Sequence, residues 1–166
     1  CVSSEVGCNM ACKFCFTGKQ KLVKRLSPSE IVGQFLLAKK ILEDERGPVI
    51  PDPEEKGYGE QLITNIVFMG MGEPMLNIQA VSQSILELTD PLYMGMGDRR
   101  ITVSSSGYVT QLRKFIDSGY KRKLAISLHA PNQSIREKIM PIAKVFPFAD
   151  VIAIGDYYIE KVRRRL

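Results

Sequence analysis

Beyond residue 15 the sequence contains no cysteine, and its 166 residues include a single histidine, His129. All four cysteines, Cys1, Cys8, Cys12 and Cys15, fall in the first fifteen positions. A disulfide framework would join distant parts of the chain, so this clustering excludes one and points to metal binding. No apolar run approaches the roughly 20 residues of a membrane span, and no charged-then-apolar leader opens the chain. The expected compartment is therefore the cytoplasm or an organelle matrix, with no membrane partner. Internal repeats and low-complexity tracts are also missing. What remains is 45% hydrophobic and 25% charged, enough for one soluble domain with its own core. The net charge is +5, with basic groups at Lys19, Lys21, Lys24, Arg25, Arg99, Arg100, Lys121, Arg122 and Lys123. That balance is compatible with a polyanionic partner, though many ordinary domains share it.

After the cysteine segment, helix and strand signals alternate as in successive β-α units feeding a parallel sheet. Ser27, Pro28 and Glu30 form a capping signature for a helix over 28–45. Residues 46–61 are rich in glycine and proline and read as a surface loop. A continuous apolar run predicts a buried strand over 62–69, ending in the turn Gly70-Met71-Gly72-Glu73-Pro74. Asn77 is the expected cap of the next helix, which Asp90-Pro91 stops. Further strands are expected over 100–104, ending in Ser104-Ser105-Ser106-Gly107, and over 123–128, ending at His129. Helices follow each, the second capped by Asn132, and a last helix is expected over 148–165. The expected fold is α/β: one domain over 1–166, a partial, open β/α barrel of about four parallel strands with outer helices.

Cys8, Cys12 and Cys15 form a metal-ligand set of one loop, and three thiolates so spaced can each take a corner of a cubane cluster while leaving its fourth iron free for an external ligand. The competing reading is a zinc site completed by Cys1 or His129. With Phe14 directly before the last cysteine, the triplet resembles the radical SAM signature. That resemblance implies a 4Fe-4S cluster whose open iron is chelated by S-adenosylmethionine, cleaved on reduction to a 5'-deoxyadenosyl radical. The other motifs sit at the carboxyl ends of successive strands, where a cofactor laid across the barrel needs them. Gly72 would let backbone approach the ligand, and Glu73 would offer a carboxylate to the cofactor's ammonium; a plain strand-to-helix turn is the alternative. Ser104, Ser127 and His129 suit ribose hydroxyls or the carboxylate, although a lone histidine is more often a structural hydrogen-bonder.

Taken together, Cys1-Val2-Ser3-Ser4, the cysteine triplet, Met69 to Pro74 with Asn77, Val103 to Gly107 and Ser127 to Asn132 closely resemble the RlmN-type adenosine methyltransferases. The resemblance implies methylation of carbon 2 of an adenosine in large-subunit rRNA, and in some members of a tRNA. It places the cluster ligands on Cys8, Cys12 and Cys15 and the SAM contacts on Gly72, Glu73, Ser104, Ser127, Leu128 and His129. It further implies that one SAM methylates a distant C-terminal cysteine and a second generates the radical that activates that methyl group. Cys1, matching the upstream cysteine, would help resolve the resulting RNA adduct; its alternative is a buried, inert thiol. An electron donor such as flavodoxin or ferredoxin and a monomeric state are expected with it.

This sequence departs from the family pattern in having no methyl-carrying cysteine after Cys15. The expectation is a truncated catalytic domain that binds the cluster and transfers no methyl group by itself. Three other readings compete: the sister group that methylates carbon 8 of the same adenosine, another radical SAM class such as a glycyl-radical activase, and a non-catalytic metal- or RNA-binding module gripping phosphates with its basic loop from Lys19 to Arg25.

Overall fold

Two short strands, β1 (Glu5–Val6) and β2 (Lys24–Arg25), pair antiparallel and close the cysteine segment at its base. Ser27 then opens the first long helix. Its hydroxyl accepts from the Glu30 amide at 3.3 Å, and its own amide donates to the Glu30 carboxylate at 3.0 Å. This reciprocal cap, with Pro28 in the first turn, satisfies donors that a helix start leaves without partners. The helix, α1, covers Pro28–Arg46 and buries Ile31, Val32 and Phe35. This computed structural model describes residues 1–47, 62–163 and 166. Beyond Gly47, the loop expected over 46–61 lies outside the described residues.

Gly33 sits inside α1, where an added Cβ would meet nothing within 4 Å among the described residues. Alanine there restricts the unfolded chain without a clash. Gly33→Ala is expected to stabilise the protein by about 0.5–1 kcal/mol, a rise of several degrees in Tm. A thermal melt showing no rise would contradict the open surroundings.

The main sheet is parallel, in the order β3 (Ile66–Phe68), β4 (Ile101–Ser105), β5 (Lys123–Ile126). Ile66 lies opposite Ile101, and Ser105 opposite Ile126. Along β4 burial alternates: Ile101, Val103 and Ser105 are buried, while Thr102 and Ser104 are half-buried. The period of two thus divides a helix-covered face from the face that carries Ser104. On the covered side α1 packs against α2 (Ile78–Thr89), and α3 (Val109–Asp117) against α5 (Phe148–Val162). Their apolar stripes meet the strands in one core that includes Val81, Leu88, Leu112 and Ile154. Each fully buried aliphatic side chain there contributes roughly 1.5–3 kcal/mol.

The α/β class and open parallel arrangement agree with the sequence reading, and three differences have physical causes. First, three strands form the parallel ladder among the described residues, where about four were expected. The remaining place beside β3 is taken by the extended segment before β1: the Val2 amide donates to the Val67 carbonyl at 2.9 Å, and the Gly70 amide donates to the Val2 carbonyl at 3.0 Å. A regular parallel pair would use the amide of Met69, so one extra residue bulges and the ladder breaks. Second, the strand expected over 62–69 shortens to Ile66–Phe68, because β4 begins only at Ile101, after the 3-10 turn Asp98–Arg100. Third, Asn77 does not cap α2; its amide donates to the carbonyls of Ser4 at 2.8 Å and Leu26 at 2.7 Å, pinning the chain on both sides of the cysteine loop. Asn132, by contrast, caps α4 (Gln133–Ile139) as expected, accepting from the Ile135 amide at 3.0 Å. Among the described residues no helix is long and apolar enough to cross a membrane.

Candidate functional site

The cysteine loop is held by hydrogen bonds and an apolar seat. The Leu22 amide donates to Asn9 Oδ1 at 3.2 Å across the loop, and Lys13 donates to the carbonyl of Ile139, at the end of α4, at 2.9 Å. Cys12 packs with Met140 and Ile142, and Met10, Cys15, Tyr108 and Phe146 lie around them. Ala11 stands in the left-handed region at φ +51. Its conformation is costly for a residue with a Cβ and is maintained here by the closed loop.

Cys8, Cys12 and Cys15 line one open cavity of about 540 Å³. Gly72, Glu73, Ser104, Ser127, Leu128 and His129 line the same cavity, so the structure brings together every predicted cluster ligand and SAM contact. Strand ends explain the convergence: β3, β4 and β5 are parallel, so the turns that leave them open on one rim. His129 also has a left-handed backbone, φ +54, and its ring lies 4.5 Å from that of Phe14. Cys1 is different. It is exposed and not among the lining residues, so it is not the buried thiol that its sequence allowed.

Burial pushes the Cys8 thiol up, opposed by the Met10 amide, which donates to its sulfur at 3.4 Å; Glu5, Glu73 and Cys15 push it further. Cys12 is pushed up to about 11 by burial, then by Cys8, Cys15 and Glu73, while Arg136 opposes the rise. Both thiols therefore hold their protons at neutral pH, and metal binding must displace them. Among the described residues no three His, Cys, Asp or Glu side chains converge on a single ion. A cubane makes no such demand, because each thiolate takes its own iron. The donor set, three thiols facing a cavity within the usual range for small-molecule sites, fits a 4Fe-4S cluster and a nucleoside-sized ligand.

Glu73 is 3% exposed, and both of its carboxyl oxygens are engaged. Oε1 accepts from the Met75 amide at 3.1 Å and Oε2 from the Ser106 amide at 2.7 Å. Burial pushes its carboxyl up, and these two amides pull it back. Each oxygen retains a further lone pair for a ligand. Beneath it lies a second buried carboxylate that sequence reasoning missed. Glu5, 1% exposed, accepts from the Glu73 amide at 3.0 Å and pairs with Arg25 at 3.4 Å. A Cβ on Gly72 would stand 2.6 Å from the Glu5 side chain. The glycine therefore serves the approach of Glu5 as well as that of a ligand. Lys24 is likewise paired, with Glu30, so two cations of the basic loop are already committed.

Ser105, Ser106, Met10 and Met140 also line the cavity or its floor and went unassigned. The serines were legible as neighbours of Ser104. The methionines carried no signal, since apolar residues in a loop look like any others.

The profile of the Radical SAM superfamily matches residues 2–154. The chain is 44% identical over 155 residues to the dual-specificity RNA methyltransferase RlmN of Methylobacterium radiotolerans, covering 92% of this chain and 36% of that protein. It is 47% identical over 145 residues to the protein of the same name from Bdellovibrio bacteriovorus, covering 87% and 32%. A crystal structure of a radical SAM methyltransferase from Sphaerobacter thermophilus superposes with a TM-score of 0.86 at 36% identity, covering 99% of this chain and 44% of that one. The chain thus spans less than half the length of these relatives. The profile match over most of its residues, with the three cysteines on the rim of an open parallel sheet, places the chain in the radical SAM superfamily.

Proposed function

We propose that this chain is the cofactor-binding part of a radical SAM RNA methyltransferase that acts on carbon 2 of an adenosine in large-subunit rRNA, and on tRNA as well. The observation that carries the reading is the convergence of Cys8, Cys12 and Cys15 with Gly72, Glu73, Ser104, Ser127, Leu128 and His129 around one cavity. The RlmN relatives, named as dual-specificity RNA methyltransferases, support the substrate class. A one-electron donor such as flavodoxin or ferredoxin, a monomeric state and a cytoplasmic location belong to the same proposal and rest on the family resemblance.

A 4Fe-4S cluster with S-adenosylmethionine on its open iron supplies a 5'-deoxyadenosyl radical when reduced. The chain's own residues hold and orient. Cys8, Cys12 and Cys15 give up their protons and each bind one iron. Glu73, fixed by two backbone amides, accepts from the cofactor's ammonium with its remaining lone pairs. Ser104 and Ser127 offer hydroxyls to the ribose or carboxylate, and Leu128 and His129 form the wall beside Phe14. Cys1 precedes Val2, whose amide is tied to β3, and is assigned to adduct resolution.

Anaerobic loading with iron and sulfide tests the first half. About four irons per chain and 5'-deoxyadenosine on reduction with SAM are expected; stoichiometric zinc without iron would overturn the site. For the second half, a version completed to the length of the relatives is incubated with rRNA and the product base identified by mass spectrometry. Methylation at carbon 2 is expected. Methylation at carbon 8 would move the chain to the sister group, and radical formation without RNA product would leave another radical SAM class.

A further inference from the structure

Arg136, on α4, is 0% exposed. Among the described residues no carboxylate lies within ion-pair distance of it. One guanidinium nitrogen donates to the Ser106 carbonyl at 2.6 Å and another reaches the Phe146 carbonyl at 3.5 Å, while Nε has no hydrogen-bond partner among the described residues. A Cβ on Gly107 would stand 3.0 Å from the guanidinium. The Ser106 side chain is buried between Arg136 and Glu73. Taking an unpaired cation out of water costs several kcal/mol unless an opposite charge faces it.

The surroundings show where that charge belongs. Ser106 lines the cavity, and its amide donates to Glu73. The turn of α4 that follows Arg136 ends at Ile139, whose carbonyl holds the cysteine loop through Lys13. The Met140 amide donates to the Arg136 carbonyl at 2.8 Å, and Met140 packs against Cys12, so α4 and the cysteine loop meet at the end of the helix that carries Arg136. Three thiolates on a doubly positive cubane leave one net negative charge, and the electron added on reduction makes it two. Net charge and nearby dipoles are what set such a cluster's potential.

We propose that Arg136 is the buried counter-cation of the cluster cavity, a positioning residue that holds Glu73 through Ser106 and makes the cluster easier to reduce. The inference rests on the reading that Cys8, Cys12 and Cys15 hold a 4Fe-4S cluster. Reduction adds one electron from the titrant to the cluster, with no bond made or broken, and the fixed charge of Arg136 stabilises the reduced form.

The test is a mediated dithionite titration of the loaded 166-residue chain, without SAM, read by the electron paramagnetic resonance of the reduced cluster. Arg136→Met removes the charge at similar volume, whereas Arg136→Lys keeps it and loses the fork. In the Met variant the reduced-to-oxidised ratio at a fixed poise is expected to fall at least tenfold, about 59 mV for one electron. The Lys variant should remain within threefold of the parent. A Met variant that folds but takes up no cluster while the Lys variant loads also supports the proposal. A Met variant within twofold of the parent, a Lys variant that falls as far as Met, failure of both to load, or failure of the Met chain to fold without cluster would each overturn it. The last result would mean that the guanidinium serves the fold. If the parent itself takes up no iron, the reading of the cysteines has failed, and this inference goes with it.

Discussion

Cys12→Ala is expected to abolish cluster loading, lowering iron from about four per chain to near zero while the fold persists. The substitution deletes one sulfur from a small apolar seat against Met140 and Ile142, a packing loss of about 1 kcal/mol. It also leaves a cubane only Cys8 and Cys15 of the three thiols that line the cavity. Losing an outer-shell partner already weakens metal sites by roughly 10–100-fold, so losing a ligand should exceed that. The same should hold for 5'-deoxyadenosine formation. Cys1→Ala provides the contrast, because Cys1 is exposed and outside the cavity. It should load iron and cleave SAM like the parent and, in a version completed to the relatives' length, lose only the release of methylated RNA. Iron and sulfide assays, a melt and an RNA gel distinguish these outcomes; full iron in the Cys12 variant would remove Cys12 from the ligand set.

Gly7→Ala should be as damaging, for a different reason. Gly7 adopts φ +79, where a side chain is strained by roughly 1–2 kcal/mol. A Cβ there would also lie 2.0 Å from the backbone carbonyl oxygen of Lys21, on the returning arm of the cysteine loop. Backbone cannot swing aside as a flexible side chain does, so β1 and β2 must separate. A total cost of about 3 kcal/mol or more follows, and Cys8, the next residue, moves with the loop. Loss of cluster loading and a sharply lower Tm are expected. Gly119→Ala is the control: its φ is +88, but an added Cβ meets nothing within 4 Å among the described residues, so only the backbone strain remains and loading is unaffected. Equal melts for the two variants would rule out the close approach at Lys21.

Much of the site was legible because its motifs are local. The spacing of Cys8, Cys12 and Cys15 needs only one loop, and Ser104 and His129 follow runs whose composition marks strands. Caps at Ser27 and Asn132 were readable for the same reason, since the donor and acceptor lie three residues apart. Asn77 shows where local reading fails. It has the chemistry of a cap, yet its amide is drawn to Ser4 and Leu26, 73 and 51 residues away in sequence. Glu5 and Arg136 fail more completely. Both are charged residues that composition assigns to the surface, and in α4 Ile135 is the more exposed neighbour, at 41% against 0% for Arg136.

Taken alone, the sequence determined the chemistry available to this protein: three thiols at cluster spacing, strand-end turns of glycine, glutamate and serine, and an alternation that can only build an α/β sheet. Tertiary structure decided which of these groups share a cavity, which carboxylates lie beneath it, and that an arginine stands buried behind it with no carboxylate beside it among the described residues. The division follows from range. Thiol spacing, caps and periodicity are set by neighbours a few residues apart, whereas the burial of Glu5 against Gly72 and Glu73, and of Arg136 against Ser106 and Gly107, depends on segments that are distant in sequence and meet only in the folded chain.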